Sequence, residues 1–143
     1  AVIHHRAVTM SLLGTFDIGT TGLVAQSVRL NLIASNVANA ETAVSADGQP
    51  YRARHAVFQS LPRRDSVGQG VTVSRIVESD AAPRMEYRPG HPMADERGYV
   101  TMPNVNPAEQ MVDMVSASRA YQLNVDLMNT TRQLMLKTLD LGK

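Results

Sequence analysis

The chain has 143 residues, with 14 basic and 13 acidic side chains and no cysteine. Its 43% apolar content with only 4% aromatics and no Trp describes thin helix packing by Leu, Val, Ala and Met, not a bulky globular core. A formal charge of +1 spread over mixed signs argues against nucleic acid or an anionic membrane as main partner, and the lack of cysteine excludes disulfides and thiolate metal sites. No stretch reaches the roughly 18 consecutive apolar residues of a membrane span. Nor does the N-terminus show a basic region, apolar core and small-residue cleavage site, so no cleaved signal peptide is expected.

The first nine residues, AVIHHRAVT, precede a cleaner amphipathic pattern that opens at Met10. They read as an upstream extension, an earlier start or an unrelated remnant, and carry no weight in the fold argument. From Ser11 to about Asn39, apolar or small residues recur at heptad spacing: Phe16, Leu23, Leu30 and Val37, with Ser27 and Ala34 in the intervening seam positions. A helix is expected here, weakened in its opening turns by Gly14, Gly19 and Gly22, each costing about 1 kcal/mol against Ala. Asn36, Asn39, Glu41 and Thr42 then favour local hydrogen bonds to backbone, and Ala46, Asp47 and Gly48 signal a turn, so the helix should end near Asn39.

Between Ser45 and Asn106 the period changes. The segments Tyr51 to Phe58 and Gly70 to Val77 carry β-branched or aromatic residues near period two and predict two short strands. All seven prolines lie from Pro50 to Pro107, which forbids any long helix in this middle segment.

Pro107 suits the first turn of a terminal helix running to Lys143, with Asn106 as N-cap and Glu109 and Asp113 at its positive end. At about 100° per residue, Met114, Ser118, Tyr121, Val125, Met128, Met135 and Leu139 form one stripe. Leu123, Leu127, Leu134 and Leu141 lie across the wheel, and Arg119, Gln122, Asp126, Asn129, Gln133, Lys137 and Asp140 fill one polar arc. Arg132 falls within the first stripe and is expected to snorkel to water. A helix apolar on two faces needs more neighbours than this short chain supplies.

The plan is therefore mainly α: a helical segment at 10–44, an extended β-rich middle at 45–106, and a helical segment at 107–143. The two terminal helices are expected to pair as an antiparallel coiled coil that closes the middle as a long excursion. Apolar seams left over after such pairing find other copies, and a head-to-tail contact that does not close generates a helical filament or tube.

Enzymatic and nucleic-acid readings are weak by comparison. His91 lies near Asp95 and Glu96, but among prolines and without helical ligand spacing, and neither it nor His55 makes a metal site. There is no glycine-rich phosphate loop or nucleophile elbow, so no cofactor and no catalytic residue is expected. Arg52, Arg54, His55, Arg63 and Arg64 near Tyr51 and Phe58 form a basic stretch, read as a solvated strand face whose arginines meet acidic surfaces on neighbouring subunits or a surrounding ring.

Three segments carry a resemblance. Residues 29–42, RLNLIASNVANAET, resemble the N-terminal signature of flagellar rod, hook and related axial proteins, with Asn36 and Asn39 matching its Asn pair. Residues 109–124, EQMVDMVSASRAYQLN, resemble the C-terminal signature, with Arg119, Ala120, Tyr121 and Asn124 in the recurring places. Residues 87–106, YRPGHPMADERGYVTMPNVN, are similar to the matching stretch of proximal-rod subunits, and another axial subunit is the nearest alternative. From Met10 on, the resemblance departs only between Leu61 and Gly70.

The resemblance implies a structural subunit of the bacterial flagellar basal body, exported through the flagellar type III apparatus and polymerising in the periplasm. Its terminal helices would pack in an inner tube around the export channel, its middle segment would face outward, and the rod would transmit motor torque. Partners would be other copies, other rod subunits, and ring and export-gate proteins. The assembly surface would comprise Phe16, Leu23, Leu30, Asn36, Val37 and Asn39 with Met114, Arg119, Tyr121, Asn124, Val125, Leu127, Met128, Leu134, Met135 and Leu139. Asn36 and Asn39 are expected to bridge backbone groups of neighbouring subunits.

Overall fold

The computed structural model describes residues 2–44, 48–64 and 68–142, with side chains described at position 7 and from position 11 onward. In chain order it contains α1 (Val2–Asn39), β1 (Arg54–Pro62), β2 (Gln69–Glu78), β3 (Arg84–Tyr87), β4 (Tyr99–Met102) and α2 (Pro107–Leu141). The mainly helical plan with a β-containing middle matches the expectation. The first helix is longer than expected, since it takes in the leading residues from Val2 rather than opening at Ser11. Its three glycines do not interrupt it.

Both helix termini follow from local chemistry. At the end of α1, Asn39 Nδ2 donates back to the Ser35 carbonyl one turn earlier at 2.9 Å, the local bond to backbone expected of an Asn here. At the start of α2, Asn106 Oδ1 accepts the Ala108 N–H at 3.1 Å, and the Asn106 carbonyl accepts from Gln110 N–H, so Asn106 is the N-cap the sequence predicts. The turn expected at Ala46 to Gly48 falls largely outside the described residues.

The strands β1 and β2 form one two-stranded sheet; β1 is shifted toward the C-terminus from the expected Tyr51 to Phe58, and β2 extends the expected Gly70 to Val77 by one residue at each end. A second sheet, not expected, pairs β3 and β4 antiparallel with Arg84 opposite Met102 and Tyr87 opposite Tyr99. The rings of that last pair lie 5.3 Å apart at 60°. Residues 88–98 connect them in a tight turn series, where Asp95 Oδ1 accepts the N–H groups of Arg97 and Tyr99 and His91 Nδ1 accepts that of Met93. Gly98, at φ 83, closes the turn, and a Cβ there would stand 2.8 Å from the Tyr87 ring.

The chain divides into two compact units. The first comprises Ala1–Val28, Phe58–Ser74 and Ala117–Lys143; the second comprises Arg29–Val57 and Arg75–Ser116. Within the first, the β1–β2 hairpin lies on α1. Thr21 Oγ1 accepts the Val71 N–H at 3.1 Å, and Gly68 and Gly70 admit Ile18 and Thr21 where any Cβ would clash. An open apolar groove of about 290 Å³ runs beside this contact, lined by Val24, Ala25, Val28, Leu61, Val71 and Val73 among others. Within the second unit, Val100, Met102, Pro103 and Val105 are fully buried, and Ala40, Ala53 and Val105 form a small cluster capped by Tyr51.

The basic stretch is answered inside the chain. Arg52 faces Asp80 at 3.8 Å, Arg54 faces Glu78 at 3.2 Å, and Arg63 faces Asp17 at 2.9 Å, so these three arginines already have acidic neighbours within one chain. The pairs are solvent-accessible, so each is worth less than about 1 kcal/mol.

Candidate assembly interface

The first helix presents three stripes at heptad spacing, each doing different work. The stripe of Gly19, Gly22, Arg29 and Asn36 meets α2. In the first unit, a Cβ on Gly19 would lie 2.9 Å from Met128 Cγ, and one on Gly22 would lie 2.4 Å from Asn124 Oδ1. In the second unit, Arg29 pairs with Asp113 at 3.5 Å and Asn36 Nδ2 donates to Gln110 Oε1 at 3.0 Å. Within each unit, rising numbers on α1 meet falling numbers on α2, so the helices run antiparallel at these contacts.

A second stripe turns to the β segment: Ile18 and Thr21 against the hairpin, and Ser35, whose hydroxyl shares a 3.1 Å hydrogen bond with that of Tyr51. The third is the stripe that hydrophobicity picked out. Phe16, Leu23 and Leu30 are half-buried, Val37 is 38% exposed, and Ser27 and Ala34 are exposed. The seam of large apolar residues is therefore not the one that joins α1 to α2. Close approach of two helix backbones requires small side chains at the contact, and Gly19 and Gly22 supply them where Leu23 and Leu30 would hold the axes apart.

On α2 the inward face carries Gln110, Ala117 and Thr131, all buried and a whole number of heptads apart. Met114, Val125, Met128 and Met135 of the first predicted stripe are half-buried around it, as is Asn124, which the stripe did not include, while Ser118 of the stripe is exposed. Tyr121 and Leu139, placed in that stripe by the wheel, are 37% and 58% exposed, and Arg132 is exposed as expected. Arg119 is also open. Of the opposite leucines, Leu123 at 69%, Leu134 at 47% and Leu141 at 85% stay open, while Leu127 at 39% also flanks Gly19 of α1. At the other end of α2, Met111, Val112 and Val115 are exposed too.

The two signature asparagines have different fates. Asn36 is wholly buried, and the bridge expected between subunits is made inside one chain, to Gln110, Tyr51 and both backbone groups of Arg54. Asn39 closes its own helix through Ser35. Gln110 and Thr131 escaped the sequence reading because a polar residue on a helix looks solvated. Their only signal was heptad spacing from Ala117.

Two long terminal helices that flank a β segment and keep large apolar side chains on their outer faces define a subunit built for assembly. A family model described as flagella basal body rod protein matches residues 16–43, and one described as flagellar basal body rod FlgEFG protein C-terminal matches residues 96–141. The flagellar basal-body rod protein FlgC of Yersinia enterocolitica is 52% identical over 134 residues, covering 94% of this chain and 100% of the relative. That of Salmonella typhimurium is 49% identical with the same coverage, and that of Borreliella burgdorferi is 36% identical over 149 aligned positions, covering 91% and 97%. The chain belongs to the FlgC family of flagellar basal-body rod proteins. It is a structural subunit of the basal-body proximal rod.

Proposed function

We propose that the protein polymerises through α1 and α2, paired as an antiparallel coiled coil, into the inner tube of the proximal rod. The segment 45–106 faces outward, the tube encloses the export channel, and the assembled rod carries motor torque. The chain reaches the periplasm through the flagellar type III apparatus and orders there against copies of itself, other rod subunits, and ring and export-gate proteins. Burial of helix faces on assembly supplies the free energy of that ordering.

One observation carries this reading: large apolar side chains at helical spacing, Phe16, Leu23, Leu30 and Val37 on α1 and Leu123, Leu127 and Leu134 on α2, remain partly or largely accessible in the single chain. Contiguous apolar surface of this kind marks a contact with another protein. The heptad meeting of Gly19, Gly22, Arg29 and Asn36 with α2 supports the coiled-coil pairing. The half-buried Met114, Val125, Met128 and Met135 then brace the outer faces from within, as does Asn36, while Arg119, Tyr121 and Leu139 stand on the open side.

The test is an in-frame deletion complemented with variants, read by swimming and by electron microscopy of purified basal bodies. The deletion should leave membrane rings without a rod beyond them. Replacing Leu123 and Leu134 together by Ser should preserve helicity of the purified chain and yet give no rods. Normal rods from that double variant would show that these leucines are not the subunit contact.

A further inference from the structure

The side chain of Asn36 is used to its full capacity. Nδ2 donates to the Arg54 carbonyl and to Gln110 Oε1, both at 3.0 Å, and Oδ1 accepts from the Arg54 N–H at 2.9 Å and the Tyr51 hydroxyl at 2.8 Å. Two donors and two acceptor positions are all that an amide side chain has. No other residue of similar size offers both, since Asp lacks the donors and Leu lacks everything. The four bonds join α1 to the beginning of β1 and to the first turn of α2, and they lie at a position with no solvent exposure.

The apolar contact around this node is slight. It consists of Ala40, Ala53 and Val105, with Tyr51 packed against them. Apolar burial holds surfaces together in proportion to area but has no direction, so a contact this small fixes the position of α1 less sharply than directed bonds do. Hydrogen bonds have distance and angle requirements, so sliding α1 past the β segment strains these four bonds together, because one side chain holds all of them. The neighbouring hold is weaker. Arg84 Nη2 donates to the Ala40 carbonyl at 3.1 Å and faces Glu41 at 3.5 Å, but the Glu41 side chain is 61% exposed and water competes for it.

We infer that Asn36 is the positioning residue that resists shear between α1 and the β segment, the joint through which torque passes within one subunit. This rests on the reading of the chain as a torque-transmitting rod subunit. It assigns the signature asparagine a mechanical role inside the subunit, which contact between subunits does not require.

Replacing Asn36 itself would strand the Arg54 backbone groups, so the test uses its partners. Tyr51→Phe removes the hydroxyl's bonds to Asn36 and to Ser35, and Gln110→Met removes the amide bond to α2, each leaving Asn36 bonded to Arg54. Thr131→Val is the control, because among the described residues the Thr131 hydroxyl bonds the Leu127 carbonyl of its own helix, at 2.8 Å, and not Asn36. Each variant replaces the chromosomal copy in a motile strain, rods are counted by electron microscopy, and swimming is followed as medium viscosity rises. The expected result is rods in parental numbers and parental swimming at low viscosity. Swimming is then lost at a viscosity the parent and Thr131→Val tolerate, earlier still in the Tyr51→Phe and Gln110→Met double variant, with hook and filament shed into the medium. Parental tolerance would overturn the inference. So would an absence of rods, which would make the node a folding requirement, or equal failure of Thr131→Val. A deletion strain that swims normally would instead remove the rod reading on which the inference stands.

Discussion

In the two units the same pair of helices meets by opposite means. In the first, the contact depends on missing atoms: Gly19 and Gly22 leave space into which Met128 and Asn124 fit. In the second, it depends on atoms that are present and paired, since Asn36 and Gln110 are both buried and hydrogen-bonded to each other. A glycine contact tolerates small readjustments of the side chain opposite, and bulk added on the glycine only where that side chain can give way. A buried amide contact tolerates neither loss of a partner nor displacement, because an unpaired buried polar group keeps its full desolvation cost. The helix contact is thus adaptable within the first unit and rigid within the second.

That contrast can be broken at its rigid end first. Asn36→Leu, which keeps the branched outline but no donor or acceptor, should strand both backbone groups of Arg54 and Gln110 Oε1 and cost about 3–9 kcal/mol, at 1–3 kcal/mol for each stranded group. Urea unfolding followed by far-UV circular dichroism reads this directly, and a loss under about 1 kcal/mol would mean that water replaces the amide. A smaller effect is expected at the other end. Gly22→Val drives Cβ to within 2.4 Å of Asn124 Oδ1, and such overpacking costs about 1–3 kcal/mol. Truncating Asn124 to Ala in the same chain should recover most of it, and no recovery would place the strain elsewhere. Gly19→Ala should show the smallest change, near zero or stabilising by up to about 1 kcal/mol. Its Cβ meets the flexible Met128 Cγ at 2.9 Å while the helix gains the better propensity of Ala. A loss there as large as at Gly22 would erase the proposed difference in adaptability between the two positions.

Much of the architecture was legible in the sequence. Proline placement, the change of period after Thr42 and the Asn106, Pro107 and Glu109 start signal together specify helix, β segment and helix. The β3–β4 sheet was not legible. Its strands are four residues each, too short for a period to register, and they are defined by pairing across Gly98. Arg52, Arg54 and Arg63 read as a basic patch because their acids, Asp80, Glu78 and Asp17, are distant in sequence and adjacent only in space.

The interface shows the same division. Sequence alone determined that two helices carry more apolar stripe than one chain can bury, and the signatures at both ends determined the family. Tertiary structure alone decided which stripe turns inward. Hydrophobicity measures how much a face gains by leaving water, and on that measure Phe16, Leu23, Leu30 and Val37 outrank Gly19, Gly22 and Asn36. Helix pairing is governed instead by how closely backbones approach and whether every buried polar atom finds a partner. Both are properties of two surfaces together, so they appear only when the second surface is in place.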